Sequence, residues 1–136
     1  MTQRTLVLLK PDAVRRGLVG NVLARFEAKG LSIVALEHRH IDGAQADAHY
    51  AEHVERDFYP PLRAFVTSGP LVALVLEGDE AIEVVRAING STDGRKAAPG
   101  TIRGDLSLSN RENLVHGSDS PESAAREIAL WFPALG

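Results

Sequence analysis

The spacing of hydrophobic positions changes repeatedly along the chain, and each change marks an element. Residues 5–9, Thr-Leu-Val-Leu-Leu, are an apolar run too short for a helix and bounded by Lys10-Pro11-Asp12, so they predict a buried strand ending at a lysine. Leu18, Val22 and Phe26, with Val19 and Leu23 beside them, repeat at the i, i+4 interval of an amphipathic helix that Lys29-Gly30 closes. Strand returns at once: Leu31, Ile33 and Ala35 alternate with Ser32, Val34 and Leu36 before the polar residues 37–40. Asp42 is placed to cap a helix over 43–53, and Pro60-Pro61 to open a second that stops near residues 67–70. Residues 71–76 are continuously apolar, the pattern of a central strand covered on at least one face. Ala81, Ile82, Val85 and Ile88 give the next helical stripe, stopped by Asn89-Gly90 and carrying Arg86 near its carboxyl end.

Periodicity then almost vanishes from 91 to 111, and aperiodic stretches of that length inside compact domains are functional or disordered. This one carries Thr92, Arg95, Lys96, Pro99-Gly100-Thr101, Arg103, Gly104 and Asp105, a mixture of cations, hydroxyls and glycines suited to an anion. The competing reading is a mobile surface loop whose charges keep it soluble. After it, Asn113-Leu114-Val115 lead His116 out of a short strand, Gly117 removes bulk beside it, and Ser120-Pro121 read as N-cap and first turn of a helix over 121–132. Ala124, Ile128 and Trp131 form the stripe of that helix. Glu127 falls at its edge, where an unpaired carboxylate is costly, and His116 or Ser118 is the nearest candidate partner in sequence. The predicted order is strand, helix, strand, helical pair, strand, helix, loop, strand, helix. Without the inserted pair and the last helix this is β-α-β-β-α-β, an α+β sandwich of the ferredoxin-like kind. No internal repeat or linker interrupts it, so residues 1–136 are expected to form one domain.

Composition narrows the possible functions. With 44% hydrophobic and 24% charged residues this is ordinary globular material. A net charge of −3 gives no overall basic field to recruit nucleic acid or an anionic membrane, so any phosphate binding must come from a local cluster. The absence of cysteine excludes disulfides and thiolate metal sites and suits a reducing cytosol. Neither a secretory leader nor an apolar run of membrane-spanning length is visible.

His116, presented beside open backbone, has the side chain best suited to act near neutral pH as nucleophile, base or ligand; the bland reading is a hydrogen-bonded histidine without chemistry. Lys10, Arg86, Thr92 and Arg103 come from a strand end, a helix end and the long loop, elements able to converge at one edge of a sheet. Arginine forks and a lysine point charge beside a nucleophilic histidine are chemically coherent with a polyphosphate. The main rival is a metal site, since His49 and His53 stand four apart and His38 and His40 two apart; the surrounding His49-Tyr50-Ala51-Glu52-His53 is not a zincin arrangement. A second rival is an RNA-binding module on the same sandwich, but such modules stack bases on strand aromatics and the predicted strands have none. Tyr50, Phe58, Tyr59 and Phe65 gather instead around the helical pair, either as a small core or with one of them free to stack on a base.

Taken together, Thr5-Leu-Val-Leu-Leu-Lys10-Pro-Asp-Ala-Val14, Pro99-Gly-Thr-Ile-Arg103-Gly-Asp105 and Asn113-Leu-Val-His116-Gly-Ser-Asp-Ser120 resemble the nucleoside diphosphate kinase family, in register over essentially the whole chain. The resemblance implies a ping-pong transfer in which the γ-phosphate of a triphosphate such as ATP passes to His116, at Nδ1, and then to a diphosphate. It implies that Lys10, Arg86, Thr92 and Arg103 hold phosphates, that Asn113 and Lys10 reach the sugar hydroxyls, and that Phe58 stacks on the base with Leu62 lining the slot. Stacking alone would tolerate every base. Tyr50 is expected to pack beside the histidine, with Glu127 and Ser118 fixing its other ring nitrogen. Mg²⁺ is expected to bridge the nucleotide phosphates without a dedicated protein cage. The family further implies a cytoplasmic homo-oligomer, hexamer or tetramer, with neither membrane nor sequence-specific nucleic acid as partner. A pseudoenzyme that binds nucleotide on this scaffold is the non-enzymatic alternative, against which every residue needed by the mechanism is present. This chain departs from the family pattern in having Asp57 before Phe58 and Gly94 in the long loop where proline is usual, Asn110 where an apolar neighbour of the base is common, and only four residues after Phe132.

Overall fold

The computed structural model describes residues 1–135. A four-stranded antiparallel sheet runs in the order β2-β3-β1-β4, with β1 Thr2–Leu9, β2 Ser32–Arg39, β3 Leu71–Asp79 and β4 Val115–Gly117. The two central strands are apolar in both registers because both faces are covered. From β1, Val7 and Leu9 enter one cluster while Leu6 and Leu8 enter the other; from β3, Val72, Leu74 and Leu76 oppose Leu71, Ala73 and Val75. The first cluster is closed by α2 (Val19–Lys29) through Val22 and Phe26 and by α5 (Ala81–Asn89) through Ala81 and Val85. The second is closed by α7 (Pro121–Trp131) through Ile128 and Trp131 and by the pair α3 (Gly43–His49) and α4 (Tyr59–Val66). This is the ferredoxin-like α+β sandwich with an inserted helical pair and a C-terminal helix.

Helix ends follow their capping chemistry. Gly30 closes α2 at φ 105°, a left-handed position natural to glycine. Asp42 and Ser120 accept from Gln45 N and Ser123 N at 2.9 and 3.1 Å, as the sequence predicts. Two short helices escape the periodicity reading, because five residues are too few to show a period: α1 (Pro11–Arg15) directly after Lys10, and α6 (Ile102–Leu106) inside the stretch read as loop. α6 is capped by the Thr101 hydroxyl, which accepts from Gly104 N at 2.9 Å, and it buries Ile102. The first helix of the inserted pair ends at His49 rather than 53, and residues 50–58 continue as turns, His53 N donating to Tyr50 O and Arg56 N to His53 O. β2 outlasts its apolar residues: at the sheet edge Glu37, His38 and Arg39 pair with Ala73, Val72 and Leu71; Glu37 and His38 are exposed, while Arg39 packs over the Trp131 ring and donates to Trp131 O at 2.8 Å.

Candidate active site

β4 is short, but its position decides the site. Paired to Val7–Leu9, it carries His116 to the carboxyl end of β1, where Lys10 and α1 begin. Leu114, two residues before His116, adopts φ 75°, a left-handed conformation that costs a branched residue of the order of 1 kcal/mol or more. It is held from both sides. Leu114 N donates to the Asp12 carboxylate at 3.1 Å, and Leu114 O accepts from Lys10 N at 2.8 Å. A Cβ at Gly117 would lie 3.0 Å from Val85 Cγ1 and 3.1 Å from Asn89 Nδ2, tighter than ordinary contact, so α5 packs closely on the strand bearing the histidine.

The question posed by Glu127 in the sequence has a double answer. Its Oε1 lies 2.9 Å from His116 Nε2 and accepts the Ser118 hydroxyl at 2.8 Å, while Ser118 Oγ accepts Leu6 N at 3.2 Å. An ionised carboxylate only accepts, so the His116 proton resides on Nε2 and Nδ1 keeps its lone pair. Glu127 is buried and His116 retains 21% side-chain exposure, on the wall of a cavity of about 360 Å³. Around this cavity the structure gathers Lys10, Tyr50, Leu62, Arg86, Thr92, Arg103 and Asn113 with His116 and Glu127. Ser118 stands behind Glu127, outside the lining, and Phe58 lies in the adjoining cavity.

The cations differ in what they have left to offer. Lys10 is buried, donates to Asn113 Oδ1 at 2.9 Å, and is pushed down to about 8 by burial and by the Arg103 charge, against the pull of Asp12. Arg103 is brought down to about 10 by burial and by Arg86, and three of its donors go to backbone: Nη2 to Val115 O at 2.6 Å, Nη1 to Gly90 O at 2.8 Å and Nε to Asn113 O at 3.2 Å. It therefore braces the strand end bearing His116 while keeping N–H groups for a ligand. Asn113 receives Lys10 and donates to Thr92 O and Asn110 O, both at 2.9 Å, tying three stretches of chain together. Arg86 and Thr92 are exposed at the rim.

Three neighbours were not found by sequence reading. His49, read as one of a possible metal pair, is buried; its ring meets that of His116 edge to face at 4.7 Å, and its Nδ1 accepts the Trp131 indole N–H at 3.0 Å. Indole only donates, so His49 carries its proton on Nε2, and burial together with the surrounding positive groups holds its pKa well below the usual histidine range. His49, His116 and Glu127 bring ligand-type atoms within 4.8 Å of one another, but one ring nitrogen of each histidine is already committed in a separate hydrogen bond, His116 Nε2 to Glu127 and His49 Nδ1 to Trp131. The available signal was the Ala46, His49 spacing on the inner face of α3. Asp12, hidden in a five-residue helix, left no pattern. Arg126, whose Nη2 donates to His49 O at 2.9 Å, is an exposed helix residue in any sequence reading. His38 and His40 lie exposed on and beyond β2, with His40 Nε2 2.9 Å from Thr67 O.

The aromatics around the helical pair divide between the two roles open to them. Tyr59 and Phe65 are buried, whereas Phe58 is 53% exposed and lines, with Leu62, a second cavity of about 500 Å³ that shares Lys10, Thr92 and Asn113 with the first. Tyr50 packs edge to face on His49 at 4.6 Å, and burial raises its phenol pKa. Lys10, Arg86 and Arg103 thus gather around the first cavity, and the exposed aromatic side chain of Phe58 lines the second.

Comparison with known proteins agrees with this geometry. Residues 3–135 match the family model described as nucleoside diphosphate kinase. A nucleoside diphosphate kinase of Nocardioides sp. is 77% identical over 135 residues, covering 99% of this chain and 100% of the relative; that of Mycobacteroides abscessus is 67% identical over 136 residues, covering 99% and 100%. Among solved structures, a halophilic nucleoside diphosphate kinase from Halobacterium salinarum in complex with CDP superposes with a TM-score of 0.94 at 47% identity, covering 97% of this chain and 88% of that one.

Proposed function

The chain belongs to the nucleoside diphosphate kinase family, and from that premise we propose that His116 is the phosphoryl carrier and that the residues gathered around it are the nucleotide site. The activity is transfer of the γ-phosphate of a nucleoside triphosphate to a nucleoside diphosphate by a ping-pong route. The observation that carries the assignment is the pairing of His116 Nε2 with Glu127, which leaves Nδ1 as the basic nitrogen beside a cationic cavity. In the first half-reaction the Nδ1 lone pair attacks the γ-phosphorus of ATP, the bond to the β,γ-bridging oxygen breaks, and ADP leaves with that electron pair. The imidazole becomes cationic while its Nε2 proton stays in the hydrogen bond to Glu127, whose charge compensates it. In the second half-reaction an oxygen of the acceptor's β-phosphate attacks the same phosphorus and the P–N bond returns its electrons to Nδ1. Lys10, Arg86, Thr92 and Arg103 hold the phosphates, Asn113 and Lys10 the sugar hydroxyls, and Phe58 with Leu62 the base.

The family generally uses a divalent cation, and our reading is Mg²⁺. Hard oxygens suit that ion, and the first cavity offers the carboxylates of Asp119 and Glu52 besides buried Glu127 among its cations. Asp119 would hold it on one side while the nucleotide phosphates supply the other oxygens. When bound it would neutralise charge on the transferring group. We further read residues 1–136 as one catalytic domain, with Gly136 outside the described residues, and as the subunit of a homo-hexamer or tetramer. Support for assembly comes from the open edge of β2 and from Leu36 and Leu108, which are 43% and 86% exposed. No helix among the described residues is long and apolar enough to cross a membrane; a cytoplasmic enzyme is the reading that accords with the family.

The test is to mix the protein with Mg²⁺ and γ-labelled ATP. Acid-labile, base-stable label that leaves as GTP on addition of GDP is expected; no label on folded protein would turn the reading toward the pseudoenzyme. Two further results are expected. Phe58→Ala should weaken nucleotide binding by about 1 to 3 kcal/mol, similarly for all bases, because a ring face is common to them; a loss confined to one base in nucleotide titrations would contradict stacking as its role. Lys10 gives a pH dependence. Its protonated form binds phosphate, and its pKa in the free enzyme is about 8, so kcat/KM should fall as pH rises through 8, whereas kcat should fall only at higher pH because bound phosphates hold the proton on. A flat kcat/KM profile from about pH 7 to 9.5 would contradict it. For folding the sign reverses: the unfolded chain, with a lysine near 10.5, binds the proton more tightly, so this group's contribution to stability grows between 8 and 10.5.

A further inference from the structure

The second cavity contains more than a stacking platform. Beside Phe58 and Leu62 it is lined by Asn110 and Arg111, and both present polar side chains that, among the described residues, take no hydrogen bond or ion pair. The other arginine of this cavity, Arg95, is held in a fork by Asp93, and the neighbouring Glu112 leans toward Arg15 at 4.0 Å, so neither engages Arg111. The loop that carries the two residues is built rather than loose. Ser109 Oγ accepts the backbone N–H of Arg111 at 3.2 Å and of Glu112 at 3.1 Å, Ser107 Oγ lies 3.0 Å from Glu112 O, and the Asn110 carbonyl accepts Asn113 Nδ2 at 2.9 Å. That last bond couples the position of Asn110 to the asparagine assigned to the sugar. A guanidinium and a carboxamide on the rim of an aromatic slot are the two side-chain types that read purine edges, arginine through the O6 and N7 acceptors of guanine and asparagine through N7 with its six-substituent.

Resting on the assignment of Phe58 as the base platform, we propose that Arg111, with Asn110 beside it, reads the N7/O6 edge of guanine, so that this kinase distinguishes guanine nucleotides by hydrogen bonds added to an otherwise indifferent stack. Phe58 supplies affinity common to all bases, and Arg111 supplies the difference between them. Purines also stack better than pyrimidines, so a simple comparison of GDP with CDP is not decisive. The decisive probe is 7-deaza-GDP, which keeps the ring area of guanine and lacks only N7.

The experiment uses the intact enzyme, phosphorylated with ATP and Mg²⁺, and measures kcat/KM for discharge onto GDP and onto 7-deaza-GDP in the wild type, Arg111→Ala, Asn110→Ala and Phe58→Ala. The wild type is expected to prefer GDP by about tenfold, the lower part of the range for a bidentate base contact, because the site is open to water. Arg111→Ala should bring the two acceptors to within about twofold, and Asn110→Ala should reduce the preference less. Phe58→Ala should slow both acceptors and preserve their ratio. Equal use of GDP and 7-deaza-GDP by the wild type overturns the proposal, as does an Arg111→Ala enzyme that slows both alike, which would make Arg111 a charge for the phosphates. Failure at the earlier step is separate: a folded protein that takes no label from ATP overturns the catalytic assignment and this proposal together.

Discussion

His116→Ala abolishes labelling by γ-labelled ATP and lowers transfer to background, a loss on the order of 10⁵- to 10⁶-fold of the kind that follows removal of a covalent nucleophile. The size of the effect follows from the ping-pong route. Without a nitrogen to accept the phosphoryl group neither half-reaction exists, and the remaining cations can only bind nucleotide. Folding should persist, because the His116 side chain is 21% exposed and belongs to neither apolar cluster, and because Glu127 keeps the Ser118 hydroxyl when the imidazole is gone. His116→Gln makes the comparison stricter, since its amide can still donate to Glu127 while offering no nucleophile. Circular dichroism and nucleotide titration on both variants should match the wild type within a few-fold in affinity. Turnover retained by either variant in a clean preparation would refute the nucleophile assignment.

Much of this arrangement was readable in the sequence, and the parts that were not have a common physical cause. Elements long enough to express a period were legible: Leu18, Val22 and Phe26 announce α2, and the unbroken apolar run at 71–76 announces a central strand covered on at least one face, which the fold covers on both. The Glu127 argument worked because burial makes an unpaired carboxylate costly and so demands a partner nearby. Elements of five residues, α1 and α6, hide below the length of their own repeat. Relations across the fold were hidden too. Nothing near His49 in sequence foretells Trp131, 82 residues away, and His49 was therefore paired in the reading with His53, its neighbour at helical spacing. Arg103 is the instructive intermediate. Its place in a cationic cluster was legible, but its bonds to Val115 O, Gly90 O and Asn113 O depend on where β4 and α5 end, which only the assembled fold decides.

The second large effect separates the charge of Glu127 from its shape. Glu127→Gln is nearly isosteric, yet we expect a loss of about 10³ in kcat with little change in fold. Both His116 Nε2 and Ser118 Oγ address Oε1, while Oε2 lies 3.9 Å from Arg126 Nη2. In the amide one of these positions becomes an NH₂. Placed toward Arg126 it sets donor against donor; placed toward His116 it donates to Nε2 and moves the imidazole proton to Nδ1, the nitrogen that must attack. The arginine favours the second orientation, so the variant holds the wrong tautomer, the situation in which a histidine enzyme loses up to about 10⁴ in rate although its geometry survives. Even the correctly oriented fraction lacks the negative charge that balances the imidazolium formed on phosphorylation. Two measurements together decide the matter: single-turnover phosphorylation by ATP gives the rate, and nitrogen NMR of the labelled imidazole reports which ring nitrogen is protonated. A proton on Nδ1 in Glu127→Gln with slow phosphorylation is the expected pair of results. A proton still on Nε2 with undiminished phosphorylation would mean that Glu127 only packs behind the ring, and that tautomer control lies elsewhere in the chain linking Trp131, His49 and His116.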